Sequence, residues 1–249
     1  VVGRGGAGVV YKGRQPELDR EVAVKVVWAD GTGGADVTRW RREVQAMARL
    51  SNHPNILPVY DGGITADGMP YLVMPYVPGG SLGDRLRASG PLPADEVVSL
   101  GIKLAGALDA AHGAGVLHRD VKPDNVLLSP YGEPLLSDFG IARLLDTTAT
   151  ATNNVHATVA YAAPEVLSGQ PATAASDVYG LAATMHACLS GTAPFVSREG
   201  EALVALAVRV TREPPPDLRG LGVAPAVASV LEEALAKDPA QRIPTAGEL

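Results

Sequence analysis

Apolar residues follow two different rhythms along this chain. Short Val-rich runs dominate the first part: GVVYKG (8–13) and REVAVKVVWA (20–29), separated by the polar turn RQPELD. Runs of this length, rich in β-branched residues and bounded by turn formers, predict strands. NILPVYDGG (55–63) and MPYLVMPYV (69–77) restore the same character. Between the two pairs the period changes. After the loop GTGGAD (Gly31 to Asp36), Trp40, Val44, Met47 and Leu50 recur at spacings of four, three and three, which predicts an amphipathic helix.

VPGGSL (Val77 to Leu82) then punctuates the chain and joins a strand-rich part to a helical one. DEVVSLGIKLAGALDAAHGAG (95–115), SDVYGLAATMHACL (176–189) and PAVASVLEEALAKD (225–238) carry helical periodicity, the first ending at glycine. TTATATNN (Thr147 to Asn154) is polar and of low complexity, the one internal stretch expected to be mobile. REPPPDLRG reads as a proline-rich surface connection, and no internal repeat is visible.

One stretch breaks both rhythms. In VLHRDVKPDNVLL (116–128), charged, amide, imidazole and proline residues are packed between apolar pairs. The following VLLSPYGEPLLSDFG holds two apolar runs, Val126–Leu128 and Leu135–Leu136, around a Pro- and Gly-containing turn, which predicts a β-hairpin. Asn125 precedes its first strand and Asp138 follows its second, so antiparallel pairing brings both to one open end. An amide oxygen and a carboxylate are hard ligands, the type magnesium takes beside phosphates. Asp120, five residues before Asn125, is placed to accept a proton from an attacking hydroxyl, and Lys122 adds a compact positive charge. Pro123 keeps Lys122 out of helical backbone. Alone, HRD fits a solvated loop with an Asp–Arg pair as well as a phosphoryl-transfer site; with Lys122, Asn125 and Asp138 at these spacings the second reading prevails.

GRGGAGVV places Gly3, Gly5 and Gly8 in a G-x-G-x-x-G pattern followed by Val10. Glycines let backbone N–H groups approach phosphates closely, yet the motif also fits a dinucleotide-binding turn or a flexible hairpin. A dinucleotide fold needs a helix after the third glycine, and VVYKG reads as a strand. VAVK puts Lys25 on the next strand, and Glu43, on the apolar face of the predicted helix, is the carboxylate expected to hold it. Lys12 and Glu21 are read as solvated residues.

Composition narrows the classes. Of 249 residues, 46% are hydrophobic, enough for one large domain or two lobes. A net charge of −6 argues against general affinity for nucleic acid or anionic membrane. The single cysteine, Cys188, excludes a disulfide framework, points to a reducing compartment and reads as a small buried hydrophobe. The uncharged run Val178 to Val196 has the length of a membrane span, but its His, Ser, Gly, Thr and Pro suit a buried helix and turn. The chain opens on VVGRGG without an initiator Met, which suggests a piece of something longer.

Together GRGGAGVV, VAVK, Glu43, HRDVKPDN, DFG, APE, SDVYGLA and KDPAQR resemble the eukaryotic-type (Hanks-type) Ser/Thr protein kinases, over essentially the whole chain and in the family's order. The Ala-, Val-, Gly- and Arg-rich composition looks like an actinobacterial relative. The resemblance implies an α+β bilobal kinase-like fold: residues 1–77 as an N-lobe with an antiparallel sheet, helix C and a shortened first strand, and 78–249 as a mainly helical C-lobe. It implies ATP and Mg2+, with Mn2+ as an alternative, and transfer of the γ-phosphate to protein Ser and Thr, the protein itself included. Nucleotide binding is implied for Gly3, Gly5, Gly6, Gly8, Val10, Ala23, Lys25, Met74, Pro75, Val77 and Leu127, with Met74 as gatekeeper and Pro75 and Val77 as hinge. Lys25 would bind phosphates and pair with Glu43, Asp120 would receive the acceptor's proton, Lys122 would steady the γ-phosphate, and Asn125 and Asp138 would hold metal. A hydrophobic spine of Met47, Val59, His118 and Phe139 anchored by Asp177, and a Glu165–Arg242 pair, are also implied.

By the same resemblance Arg119 and Arg143 would hold an activation-segment phosphate, with Thr150 and Thr152 as autophosphorylation sites. Pro75 stands where many relatives have Glu, Ser81 where basophilic kinases carry an acid, Ala7 where a bulkier residue is common, and Ala157 where Gly is usual. A pseudokinase that holds nucleotide or a partner is the alternative. A small-molecule kinase is disfavoured by APE and SDVYG. The family leaves an N-lobe homodimer open, and places the catalytic domain in the cytoplasm of a protein anchored by a later membrane span.

Overall fold

The computed structural model describes residues 1–5, 8–28, 34–139 and 158–249. Five strands form one antiparallel sheet in the order β1-β2-β3-β5-β4: β1 (Gly3–Gly5), β2 (Gly8–Gln15), β3 (Arg20–Val27), β4 (Asp61–Ile64) and β5 (Pro70–Pro75). β3 is central, and Lys25 lies opposite Val10 on one side and Leu72 on the other. Ala23, Lys25 and Val27 alternate onto one buried face. Lys12 and Glu21, read as solvated, are exposed and pair with each other at 2.6 Å.

Helix α1 (Gly34–Leu50) crosses between β3 and β4, with Trp40, Met47 and Leu50 buried as the periodicity predicts. It begins inside the stretch read as a loop, taking in Gly34 to Asp36. The strand expected from Asn55 starts only at Asp61. Its first residues leave the sheet because they pair elsewhere: Ile56 bridges Leu136, Leu57 N–H donates to Leu136 O at 2.9 Å, and Leu136 N–H donates to Asn55 O at 2.8 Å.

Leu136 belongs to the expected hairpin, β6 (Val126–Leu128) with β7 (Pro134–Leu136), in the register Val126↔Leu136 and Leu127↔Leu135. Among the described residues the further α-helices are α2 (Leu82–Ser89), α3 (Ala94–Gly113), the single turn α4 (Pro164–Leu167), α5 (Ala174–Ser190), α6 (Leu203–Arg212) and α7 (Pro225–Ala234). Every residue of α5 from Ser176 to Leu189 is buried, and the helix stops at Gly191 with φ 83°. The uncharged run is thus a core helix and its turn, and Cys188 is buried in it, its thiol pushed up to about 12 by burial. Among the described residues no helix is long and apolar enough to cross a membrane.

α2 escapes a periodicity reading. LGDRLRAS is too short to show its period, and α2 is set by its cap: Ser81 Oγ accepts from Asp84 N–H while Asp84 accepts from Ser81 N–H.

Candidate active site between the sheet and the helices

A cleft of about 560 Å3 lies between the sheet and the helical part, within the range of small-molecule sites. Gly3, Gly8 and Val10 line it from β1 and β2, and Ala23 and Lys25 from β3. Met74, Pro75 and Val77 come from β5 and the connection after it, and Leu127 and Asp138 from the hairpin. Gly5 lies on β1 outside this lining, and Gly6 and Ala7 lie outside the described residues. Gly8 is required by close approach: a Cβ there would stand 2.1 Å from Val26 O.

The hairpin brings the polar residues together as its register predicts. Ser137 donates through both N–H and Oγ to Asn125 O, each at 2.9 Å, which ties the residue before β6 to the residue after β7. Asn125 Nδ2 donates to Asp120 O at 2.7 Å and to Asp120 Oδ2 at 2.9 Å. These bonds leave the amide oxygen of Asn125 as a potential metal ligand at the hairpin end that also carries Asp138. Lys122 Nζ donates to both Asp120 oxygens, at 2.9 and 2.7 Å, and to Thr158 Oγ1 at 3.0 Å. A carboxylate, a cation and a hydroxyl on the segment leading to APE are thus joined in one network.

Lys25 takes a different carboxylate from the expected one. Its Nζ lies 2.7 Å from Asp138 Oδ1, and no ion pair joins it to Glu43. Lys25 has only 9% of its side chain exposed and Asp138 29%, so each needs a counter-charge nearby. Glu43 is half-buried on α1 and lacks that demand. Burial works to raise the Asp138 pKa, but the charge and hydrogen bond of Lys25, aided by His118 and Lys122, outweigh it and hold the carboxyl below its usual range.

Two backbone conformations complete the site. Arg119 has φ 69° and Asp138 φ 66°, left-handed values rare for residues with a Cβ. Buried Asp177 on α5 accepts from His118 N–H at 2.8 Å and Arg119 N–H at 2.7 Å, and His112 Nε2–H donates to it at 2.9 Å. His118 Nε2–H donates to Ser137 O at 2.7 Å, and its ring lies 4.6 Å from that of Phe139. Met47, Val59 and Phe139 line one small cavity, so the anticipated spine is assembled and rests on Asp177. Glu165 and Arg242 meet through two hydrogen bonds of 2.7 and 2.6 Å, as anticipated.

Several contributors were not singled out from sequence. His112 carries no motif signal, only its place six residues before His118. Asp84, Arg87 and Asp124 line the cleft as well. Arg143, Thr147, Thr148, Thr150, Thr152 and Ala157, and with them the expectations for the activation segment, lie outside the described residues.

This geometry meets a direct match: the Protein kinase domain family model covers residues 1–249. The chain belongs to the protein kinase domain family. Among its relatives, Serine/threonine-protein kinase PknK of Mycobacterium tuberculosis is 50% identical over 248 residues, 100% of this chain and 22% of the relative. PknJ of the same species is 43% identical over 256 residues, 100% of this chain and 43% of the relative. The chain thus spans about a fifth and two fifths of these two relatives' lengths. Among solved structures, the PknI kinase domain of Mycobacterium tuberculosis matches with TM-score 0.74 and 32% identity over 99% of this chain and 89% of that one. Rad53 1–466 in complex with AMP-PNP matches with TM-score 0.82 and 25% identity, over 100% of this chain and 62% of that one. The bilobal kinase fold and the actinobacterial character expected from sequence agree with these findings. Members of this family use ATP with a divalent metal, and the glycine cradle and hard oxygen donors suit both.

Proposed function

We propose that this domain is a Ser/Thr protein kinase that moves the γ-phosphate of ATP to Ser and Thr hydroxyls of proteins, its own activation segment included. The observation that carries this reading is Lys122, whose ammonium joins Asp120 to Thr158 Oγ1. A carboxylate held by a cation and by Asn125 has a fixed aim, which suits it to orient an acceptor hydroxyl and take its proton. Lys122 is then the cation nearest the transferred group.

Gly3, Gly5, Gly6 and Gly8 would lay backbone N–H groups along the phosphates, and Val10, Ala23 and Leu127 would enclose the base, with Met74 behind it. The backbone of Pro75 and Val77 would meet its edge; Pro75 lacks an N–H, but its carbonyl still accepts. Lys25 would hold phosphate oxygens and Glu43 would take over its charge, freeing Asp138 to act with Asn125 as metal ligand. Mg2+, with Mn2+ as the alternative, would supply neutralisation of charge on the phosphates. Residues 1–77 and 78–249 serve as the two lobes, and the domain works in the cytoplasm.

The Lys25–Asp138 pair favours the second reading, a nucleotide-binding or scaffold domain without turnover. Intact mass and phosphopeptide mapping after incubation with Mg·ATP, with Asp138→Asn as control, separates the two. Phosphate gained by the parent alone, at Thr150 or Thr152, is the expected result. Binding of ATP with no phosphate on the protein or on any Ser/Thr peptide supports the second reading.

A further inference from the structure

At the open side of the cleft two carboxylates share one guanidinium. Arg87, in the last turn of α2, places Nη2 2.7 Å from Asp84 Oδ1 and Nη1 2.8 Å from Asp124 Oδ1. Asp124 sits in the short turn after Lys122, and all three side chains line the cleft. The junction is built closely. A Cβ on Gly83 would lie 2.5 Å from Asp124 Oδ1, so a larger residue there would push this carboxylate from its place against α2. Yet the cluster is solvated: Arg87 and Asp84 keep 62% of their side chains exposed and Asp124 42%. Exposed pairs of this type are weak and exchange partners readily.

We propose that Arg87 is a specificity-determining residue, occupying from within the chain a carboxylate pair that would otherwise select a basic side chain beside the acceptor hydroxyl. This rests on the kinase reading above. Asp124 lies four residues beyond Asp120, within about 13 Å of chain, and an extended peptide advances about 3.3 Å per residue. Asp124 is therefore within reach of a substrate side chain no more than about four residues from the acceptor. Asp84 adds a second charge there, although Ser81 already uses its other oxygen. With Arg87 in place, an incoming Arg must displace a like charge before it can reach either carboxylate, and acids and bases at those positions are treated nearly alike. Without it, two facing carboxylates lack a cation, and a guanidinium from the substrate restores the same two hydrogen bonds.

The test uses a neutral Thr peptide and versions with one Arg at each position from two to four residues on either side. For the parent, kcat/KM with and without Arg should agree within about threefold, whereas Arg87→Gln should favour one Arg peptide by about tenfold or more. That preference should shrink at high salt, disappear in Arg87→Gln/Asp124→Asn, and stay absent in Arg87→Lys, which keeps the charge. Equal ratios in parent and Arg87→Gln, a preference that survives Asp124→Asn, or a parent that already prefers Arg overturns the proposal. If the neutral peptide is phosphorylated but the ratios do not move, the inference fails and the kinase reading stands. If neither protein phosphorylates any peptide, both fail.

Discussion

The carboxylate of Asp177 holds Arg119 in left-handed backbone, accepting its N–H at 2.7 Å while φ stays at 69°. A second bond from His118 N–H fixes the residue before it. The loop bearing Asp120 and Lys122 is thus positioned from α5 by a residue outside the cleft lining. Asp177→Asn keeps the shape but loses the charge and turns a donor toward one of these two N–H groups, which bond different oxygens of the carboxylate. The expected loss is about 2–4 kcal/mol of stability, with a fall in kcat larger than any rise in KM for ATP. Denaturant unfolding and steady-state kinetics read the two.

Lys25→Met leaves Asp138 without its cation, and burial then pushes its pKa up rather than down. In the parent, the folded carboxyl titrates below its ordinary 3.8, so its contribution to stability is complete above 3.8 and drains as pH falls through the lower folded value. In Lys25→Met, protonation should begin above 3.8 and a folded-state penalty should remain at neutral pH. Carboxylate NMR titration of Asp138 checks the direction, and an unchanged Asp138 titration would mean that the pair has little electrostatic weight.

Glu43→Gln separates two roles. Glu43 has no ion pair among the described residues, so stability should change by no more than about 0.5 kcal/mol. If Glu43 takes over Lys25 during turnover, phosphotransfer should still drop by about tenfold or more. Thermal melts beside peptide phosphorylation decide this.

Arg242 is fully buried against Glu165, which is 11% exposed. Arg242→Met strands a buried carboxylate and should cost about 3–5 kcal/mol, a melting drop on the order of 10 °C for a chain of this size. Burial tends to raise the Glu165 pKa, but hydrogen bonds from Arg242 and Ser176 hold it below 4.5, so the pair's stabilisation is full above that pH and is lost below it. Calorimetry from pH 3 to 7 should show parent and variant converging at the acid end.

Gly8→Ala drives a methyl group to 2.1 Å from Val26 O, and β2 must shift away from β3. Affinity for an ATP analogue should fall by about tenfold, with a smaller loss of stability, as isothermal titration would register.

The chemistry of the site was legible wherever spacing along one element decides it. Asn125, Asp138 and the hairpin turn lie within one short segment, and antiparallel pairing is enough to place them. Contacts between distant segments were not legible. Nothing local says that Ile56 and Leu57 would abandon the sheet for Leu136, or that His112 would reach Asp177 across 65 positions. The partner of Lys25 was misjudged for a related reason: helical periodicity puts Glu43 on the right face of α1 but says nothing of how near that face stands to Lys25. The left-handed backbone at Arg119 has no local signal, and at Asp138 only the modest tendency of Asp to visit that region, so tertiary hydrogen bonding has to reveal it.

The bonds between Asn55–Leu57 and Leu136 have a practical consequence for dissecting the molecule. A cut after Val77 follows the punctuation of the sequence, yet it would strip residues 55–57 of their backbone partners and uncover two side chains, Ile56 at 3% and Leu57 at 7% exposure, that the helical part now shields. The released piece would carry an unpaired edge beside a bare apolar patch, a combination that favours self-association over independent folding.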